Sequence, residues 1–364
     1  MKNLYRILLA ICLLLPAGLA AQNPDESRAT SLYKQAVDAI LDKDFDAALK
    51  YLDEGIRIAP QSFLKKYNWL YGETYSSWAA SFMFDDNMKA FQLYDKAYYH
   101  YSQALDYKNA IYVIYWMGWI AGDAGNYSQA IQLFNNAVFI ADLYKYPAVD
   151  VLVEQEKLYR KLNQYDQVRL VSYKLYEVYH SASAPEDRFK ILLHLAKGAR
   201  LDMSYDLSWA YHAEIERILP QFPESVRMNY QEMQSLEKHA LLESVGQYED
   251  ALEYTLRQVS IKEQHHAPED EMLDLYLTLA GDYVNLANKE KAPEYLEKVS
   301  GMLALLQIEK ERQANMYAAV GIRYSNIGDY RSALECYDKA EESGWPVEAL
   351  FPLRGSVLFS MGQK

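Results

Sequence analysis

Two stretches of the chain carry the same order of small and large apolar residues at helical intervals, one from Ile111 to Ala141 and one from Ala314 to Pro346. They align without a gap: Gly118 falls on Gly321, Gly125 on Gly328, Tyr127 on Tyr330, Ala130 on Ala333, Phe134 on Tyr337 and Ala137 on Ala340. Steps of four and three residues put Ala130, Phe134 and Ala137 on one side of a helix. Small, large, small presents a knob between two hollows. Gly118 and Gly321 sit on a preceding helix, where a small residue lets a partner helix approach. Gly125 and Gly328 end that helix, since glycine accepts the left-handed backbone of a helix stop. The aromatic two residues later packs over the turn. Each stretch therefore predicts a helical hairpin.

Further copies fill the chain. Near Ala29 to Pro60, Ala36 is the small first-helix residue, Phe45 the turn aromatic, and Ala48, Leu52 and Gly55 the second stripe, with Lys43 where the turn glycine should be. Near Tyr71 to Ala104 the stripe is Ala90, Tyr94 and Ala97. Near Val149 to His180, Asn163 and Tyr165 make the turn, with Val168 and Ser172 in place of the preferred stripe residues. Gly198 and Ala210 carry the register near Ile191 to Pro223, where the turn is irregular. Gly246, Tyr248 and Ala251 mark the copy near Glu232 to Gln264, and Ala280, Tyr283, Ala292, Leu296 and Val299 the one near Leu273 to Leu303. Ala184-Pro185-Glu186-Asp187 and Ala267-Pro268-Glu269-Asp270-Glu271 place proline and acids at helix starts. No alternating β-type stretch and no Gly/Ser linker interrupts the series, so residues 29–364 are expected to form one array.

In its small-residue and aromatic order, with a closing proline at Pro60, the chain resembles the tetratricopeptide repeat (TPR) family. The resemblance implies an all-α fold: a right-handed α-solenoid of about eight TPR-like helical hairpins, an α-α superhelix. Copies recur about every 40 residues rather than the family's 34, so helices or connections are longer than the norm. The stretch Glu348 to Lys364 reads as one more first helix, with Gly355 as its small residue and Gly362 at its end. It is either a capping helix or a truncated repeat. Its apolar residues, among them Phe351, Leu353 and Phe359, are more than a polar cap requires.

Aromatic residues reach 14% of the chain, and 33 of the 364 residues are tyrosine. They cluster as Trp69, Tyr71, Tyr75 and Trp78, then Tyr94, Tyr98, Tyr99 and Tyr101, then Tyr112, Tyr115, Trp116 and Trp119. Stripe and turn positions explain many of these as packing. In the third copy Ile114, Gly118 and Ala121 face the partner helix, while Tyr112, Tyr115 and Trp119 share an adjacent face. In the TPR family that face lines a concave groove, and rigid aromatics there anchor a peptide or a sugar ring. Groove lining and plain packing both remain open for them. The matching face carries Asp150, Val153, Lys157 and Arg160 in the fourth copy, and Asn315, Ala318, Ile322, Ser325 and Asn326 in the eighth. A groove passing from aromatic to basic to amide suits an extended peptide with an acidic stretch. Trp209 and Trp345 read as structural.

Charge and termini narrow the partner class. Lys2 and Arg6, the apolar run Ile7 to Leu15, Pro16 and the small residues of Gly18-Leu19-Ala20 read as a cleaved signal peptide over residues 1–21, with a short linker at 22–28. A periplasmic or secreted location follows, without membrane insertion of the mature chain. Cys12 follows Ile11 inside the apolar run, which disfavours lipidation, and Cys336 then remains alone on an apolar helix face as a buried thiol. Losing Lys2 and Arg6 takes the formal charge from −13 to −15, and no basic patch stands out, so nucleic acid is excluded as a partner.

No P-loop, H-E-x-x-H, G-x-S-x-G or dinucleotide fingerprint is present. His265 and His266 point different ways on a helix and read as a solvated connection. No enzyme, cofactor or metal is expected. The reading is an exported scaffold or adaptor that binds a protein or peptide in its concave groove in the bacterial envelope. Two alternatives stand beside it: a periplasmic sensory repeat region of a sensor kinase or transcription regulator, and a glycan-binding accessory protein.

Overall fold

The computed structural model describes residues 24–264 and 266–362. The signal-peptide segment 1–21, Cys12, His265 and Lys364 lie outside the described residues. Among those described there are seventeen α-helices, two single 3-10 turns and no strand. In chain order the helices are α1 (Pro24–Leu41), α2 (Phe45–Ile58), α3 (Leu64–Ala80), α4 (Asn87–Gln103), α5 (Tyr107–Asp123), α6 (Tyr127–Tyr144), α7 (Val149–Lys161), α8 (Tyr165–Ser181), α9 (Pro185–Leu201), α10 (Tyr205–Ile218), α11 (Glu224–Ser244), α12 (Tyr248–Gln264), α13 (Glu269–Asn285), α14 (Lys291–Leu305), α15 (Lys310–Asn326), α16 (Tyr330–Glu342) and α17 (Val347–Ser360). Odd and even helices pair as eight hairpins, and α17 follows the eighth. The fold class is that expected from the sequence: an all-α array of TPR-type hairpins. Helix α1 begins at Pro24, inside the stretch read as linker, because Pro24, Asp25 and Glu26 supply a proline and two acids to the positive end of a helix.

The chain divides into two compact units, one ending at His194 and one beginning at Leu195, with the boundary inside α9. In the first unit, Ala36, Ala48, Leu52 and Tyr67 form a core between α1, α2 and α3. Ala90, Tyr94, Ala97, Val113 and Met117 form the next, between α4 and α5. Ile114, Ala130, Phe134, Ala137 and Val151 follow between α5, α6 and α7. The second unit has the same construction, with Leu279, Leu296, Val320, Ala333, Tyr337 and Leu350 in one continuous core. Cys336 is buried there, and burial pushes its thiol up to about 11, as befits an inert side chain. On α17, Leu350 and Val357 are buried while Phe351 and Phe359 are exposed.

The stripes work as the intervals predicted. A Cβ on Gly118 would lie 2.5 Å from the Phe134 ring, and one on Gly321 would lie 2.5 Å from the Tyr337 ring. The knob of the second helix thus sits where the first helix has no side chain. Helix starts are held by aspartates: the side chains of Asp44, Asp86, Asp106 and Asp329 accept from the backbone N–H of Ala47, Lys89, Asn109 and Ser332.

Seven of the eight hairpins turn through a single left-handed residue: Lys43, Gly125, Asn163, Met203, Gly246, Ala287 or Gly328. The α3–α4 connection is longer. In six of the seven, an aromatic residue two places on opens the second helix. The irregular turn near residue 203 therefore has ordinary geometry built from an unusual residue. Met203 is exposed and has φ 57°. Met203→Gly should stabilise the protein by about 0.5–1 kcal/mol, the left-handed strain relieved less the chain entropy glycine adds. Urea unfolding followed by circular dichroism checks this, and a loss of stability would show that Met203 makes contacts that offset its strain.

Candidate functional site

Many of the aromatics are committed to packing. Tyr67 is buried, and its hydroxyl donates to the Ala29 carbonyl at 2.6 Å. Tyr71 stacks on His100 with centroids 4.6 Å apart and donates to Asp53. Trp78 stacks on Phe45 across hairpins at 5.7 Å. The Trp69 indole donates to Asp106 at 3.0 Å, so the aspartate that starts α5 also anchors α3. Tyr101 is buried and donates to the buried Glu73 at 2.8 Å.

Helix α5 differs. Tyr112 is 47% exposed, and Tyr115, Trp116 and Trp119 are half-buried. Trp116 and Trp119 pack against the core between α4 and α5 and Tyr115 against that between α5, α6 and α7, each remaining partly exposed. Trp116 organises them: its ring meets Tyr112, Tyr115 and Trp119 edge to face, at 6.1, 5.1 and 6.1 Å. This is the geometry aromatic quadrupoles favour. Sequence reasoning named Trp116 in this cluster but left it off the face shared by Tyr112, Tyr115 and Trp119. Its place between them follows from steps of four and three to Tyr112 and Trp119.

Helix α7 faces this row. Trp119 and Lys157 line one cleft of about 200 Å³, together with Tyr127, Glu154 and Lys161. Burial pushes the Tyr115 hydroxyl up to about 12, with the negative charges of Glu154 and Asp150 adding to it. The charges of α7 are compensated. Lys157 pairs with Glu154 at 2.7 Å, and Asp150 pairs with Lys190 at 2.9 Å. Arg160 holds Glu156 at 2.7 Å, and His194 takes its other oxygen at 3.0 Å. Burial alone would raise the buried Glu156 carboxyl, but hydrogen bonds and charge from His194 and Arg160 bring it below its usual value. Arg160 thus serves an ion network, and the basic step of the expected groove is a balanced one. Asn315, Ser325 and Asn326 lie on α15 in the second unit, with both asparagines exposed and the serine half-buried.

The second unit holds a wider cleft that sequence reasoning missed. It is about 470 Å³, and its lining includes Ser235, Leu236 and His239 from α11, Tyr254 from α12, and Leu275 and Thr278 from α13. Lys262 bridges Glu232 and Glu271 at its edge, at 2.6 and 2.9 Å. His239 Nε2 lies 2.7 Å from Asp282 Oδ1. Only the spacing of His239 and Glu243 by four on one helix is a local sequence signal of this cluster.

Among the described residues no helix is long and apolar enough to cross a membrane. Comparison with protein-family profiles finds no match. Comparison with curated protein sequences finds none either. Solved structures do match. The fold is similar to the apo form of the quorum sensor NprR from B. thuringiensis, with TM-score 0.53 and 12% identity over 94% of this chain and 92% of that one. It is similar to a STAND signal-transduction ATPase with a tetratricopeptide repeat sensor, PH0952, from Pyrococcus horikoshii, with TM-score 0.53 and 15% identity over 94% of this chain and 56% of that one. Yeast Tom70 gives 0.51 and 14% over 96% and 66%. Eight hairpins, seven of them with a left-handed turn and two with the same glycine-to-aromatic seating at Gly118 and Gly321, matched along nearly the whole chain by these structures, give this chain the fold of the tetratricopeptide repeat family.

Proposed function

We propose that the chain is an exported scaffold that binds a peptide or protein segment along α5 and α7. The open row of Tyr112, Tyr115, Trp116 and Trp119 carries this reading. Four aromatics held edge to face, all of them partly or largely exposed, offer contact area at little cost in side-chain entropy. The adjoining cleft lined by Trp119 and Lys157 supplies a pocket for one anchoring side chain. Because Lys157 and Arg160 have acidic partners on their own helix, aromatic and aliphatic anchors dominate recognition, with charge at the rim. The leader-like residues Lys2 to Ala20 support a place in the bacterial envelope.

A crosslinked pull-down from envelope extract tests this, comparing the wild type with a Tyr112/Tyr115/Trp119 triple alanine variant of equal helicity. A partner retained by the first and reduced at least tenfold on the second is the expected result. Equal retention on both would remove α5 as the site.

A sensory role is the second reading. Two of the similar structures are, by name, a quorum sensor and a protein with a TPR sensor. The exposed Phe351 and Phe359 of α17 offer a surface through which a bound state is passed on. Dependence of a cellular response on those two side chains, with ligand binding intact, would favour it.

A further inference from the structure

The geometry assigns a divalent metal site of the zinc class to His239 and Glu243 on α11 and Asp282 on α13. The site is independent of the aromatic row on α5. One donor atom from each of the three residues lies within 4.8 Å of the others. His239 and Glu243 stand four apart on one helix, which puts both side chains over the same turn. Asp282 reaches them from the next hairpin, one turn beyond Thr278 on the face of α13 that lines the wider cleft.

One feature of the cluster is unexplained by hydrogen bonding alone. Asp282 is 1% exposed, and its Oδ2 has no hydrogen-bond partner. A buried carboxylate oxygen left so costs more than a buried apolar group, and native structures seldom carry one without a reason. An ion supplies that reason, because it satisfies a carboxylate that hydrogen bonds leave short. Glu243 is in addition already oriented. Asn285 donates to Glu243 Oε1 at 2.8 Å. Such an outer partner holds a metal ligand in place.

The fit to a small ion needs modest movement. Bonds of about 2.0–2.2 Å in a tetrahedral site put donors roughly 3.3 Å apart. Asp282 must release His239 Nε2 and turn its unpartnered Oδ2 to the ion, and the half-exposed Glu243 must swing inward. Arg323 of α15 packs beside the cluster, where Gly281 leaves room for it: a Cβ on Gly281 would lie 3.0 Å from Arg323 Nε. Its charge acts on both Glu243 and Asp282, and it would repel a second cation placed between them. Three protein donors leave one coordination position vacant, as in sites where zinc takes an exogenous ligand. His239 also lines the cleft of about 470 Å³, which places the cluster at the edge of that cleft.

The test is equilibrium dialysis of the chelator-treated full chain against Zn²⁺ alone, with Co²⁺ absorption as a second readout of tetrahedral coordination. One saturable equivalent is expected, with Asp282→Asn and Glu243→Gln each weakening it at least tenfold. Glu243 is only half-buried, so Glu243→Gln should fold as the wild type does, which circular dichroism verifies. Absence of a saturable equivalent would overturn the assignment. So would an equivalent that Glu243→Gln and His239→Ala leave unchanged, because the ion would then sit elsewhere.

Discussion

Gly118→Ala is expected to destabilise the protein by about 1 kcal/mol, and Gly118→Val by about 3 kcal/mol. The sign is the informative part. At an open position inside a helix, glycine to alanine gains about 1 kcal/mol. Gly301, within α14, meets nothing within 4 Å and provides that control, so Gly301→Ala should stabilise by about that amount. At Gly118 the added Cβ would lie 2.5 Å from Phe134, a buried ring in the core between α5, α6 and α7. The ring cannot withdraw without disturbing its neighbours, so overpacking outweighs propensity. Pairing Gly118→Ala with Phe134→Leu should recover part of the loss, which a double-mutant cycle in urea would measure. If Gly118→Ala proved as favourable as Gly301→Ala, the seating of the second helix on the first would be looser than its geometry indicates.

Acid should weaken the fold through His212, well above the range in which carboxylates titrate. His212 on α10 is 1% exposed, and neither ring nitrogen has a hydrogen-bond partner. Burial lowers its ring to about 4 from the ordinary 6.5, and the positive charges of Lys238 and Arg200 act in the same sense against the opposing charge of Glu216. Above pH 6.5 the ring is neutral whether the chain is folded or not, and nothing is lost. As pH falls below 6.5 the unfolded chain takes a proton that the folded chain refuses until about 4, so stability declines across that window. The full effect is about 3 kcal/mol, of which about 2 kcal/mol is lost by pH 5. His212→Leu should flatten that slope when urea midpoints at pH 7 and pH 5 are compared. His100, lowered to about 4 mainly by burial, adds a decline of the same sign that the variant retains. His239 works the other way: burial would lower it, but its bond to Asp282 raises it, so its contribution is complete below 6.5 and fades as pH rises. A His212→Leu variant as acid-sensitive as the wild type would place the titrating groups elsewhere.

Much of the fold was legible because one physical requirement recurs. Wherever a small residue on one helix must receive a large one from the next, the sequence shows it as Gly118 with Phe134 or Gly321 with Tyr337. The helix starts at Pro185 and after Pro268 were legible for a similarly local reason, proline and acids in a first turn. The turns at Met203 and Ala287 were not, because the left-handed backbone is imposed there by the helices on either side rather than by a residue that favours it. The candidate sites divide in the same way. Tyr112, Tyr115 and Trp119 share a helix face and could be grouped by counting. The compensation of Lys157 by Glu154 and of Arg160 by Glu156 was also within reach, at helical intervals of three and four. Asp282 was beyond counting, since it meets His239 from 43 residues away. Nothing local distinguishes that aspartate from any other acid on a helix.

The left-handed turn shared by seven hairpins bears on how such a chain tolerates changes in length. One residue added inside a helix rotates everything beyond it by about 100° and turns each stripe away from its hollow. A whole hairpin added at a turn returns the chain to the same backbone state, facing the same kind of neighbour. Insertions of about 40 residues in register, the repeat interval, should therefore be better tolerated than insertions of one or two. The array is digital in this sense: it accepts whole units, and the joint between two helices is the place where a unit can be cut or pasted.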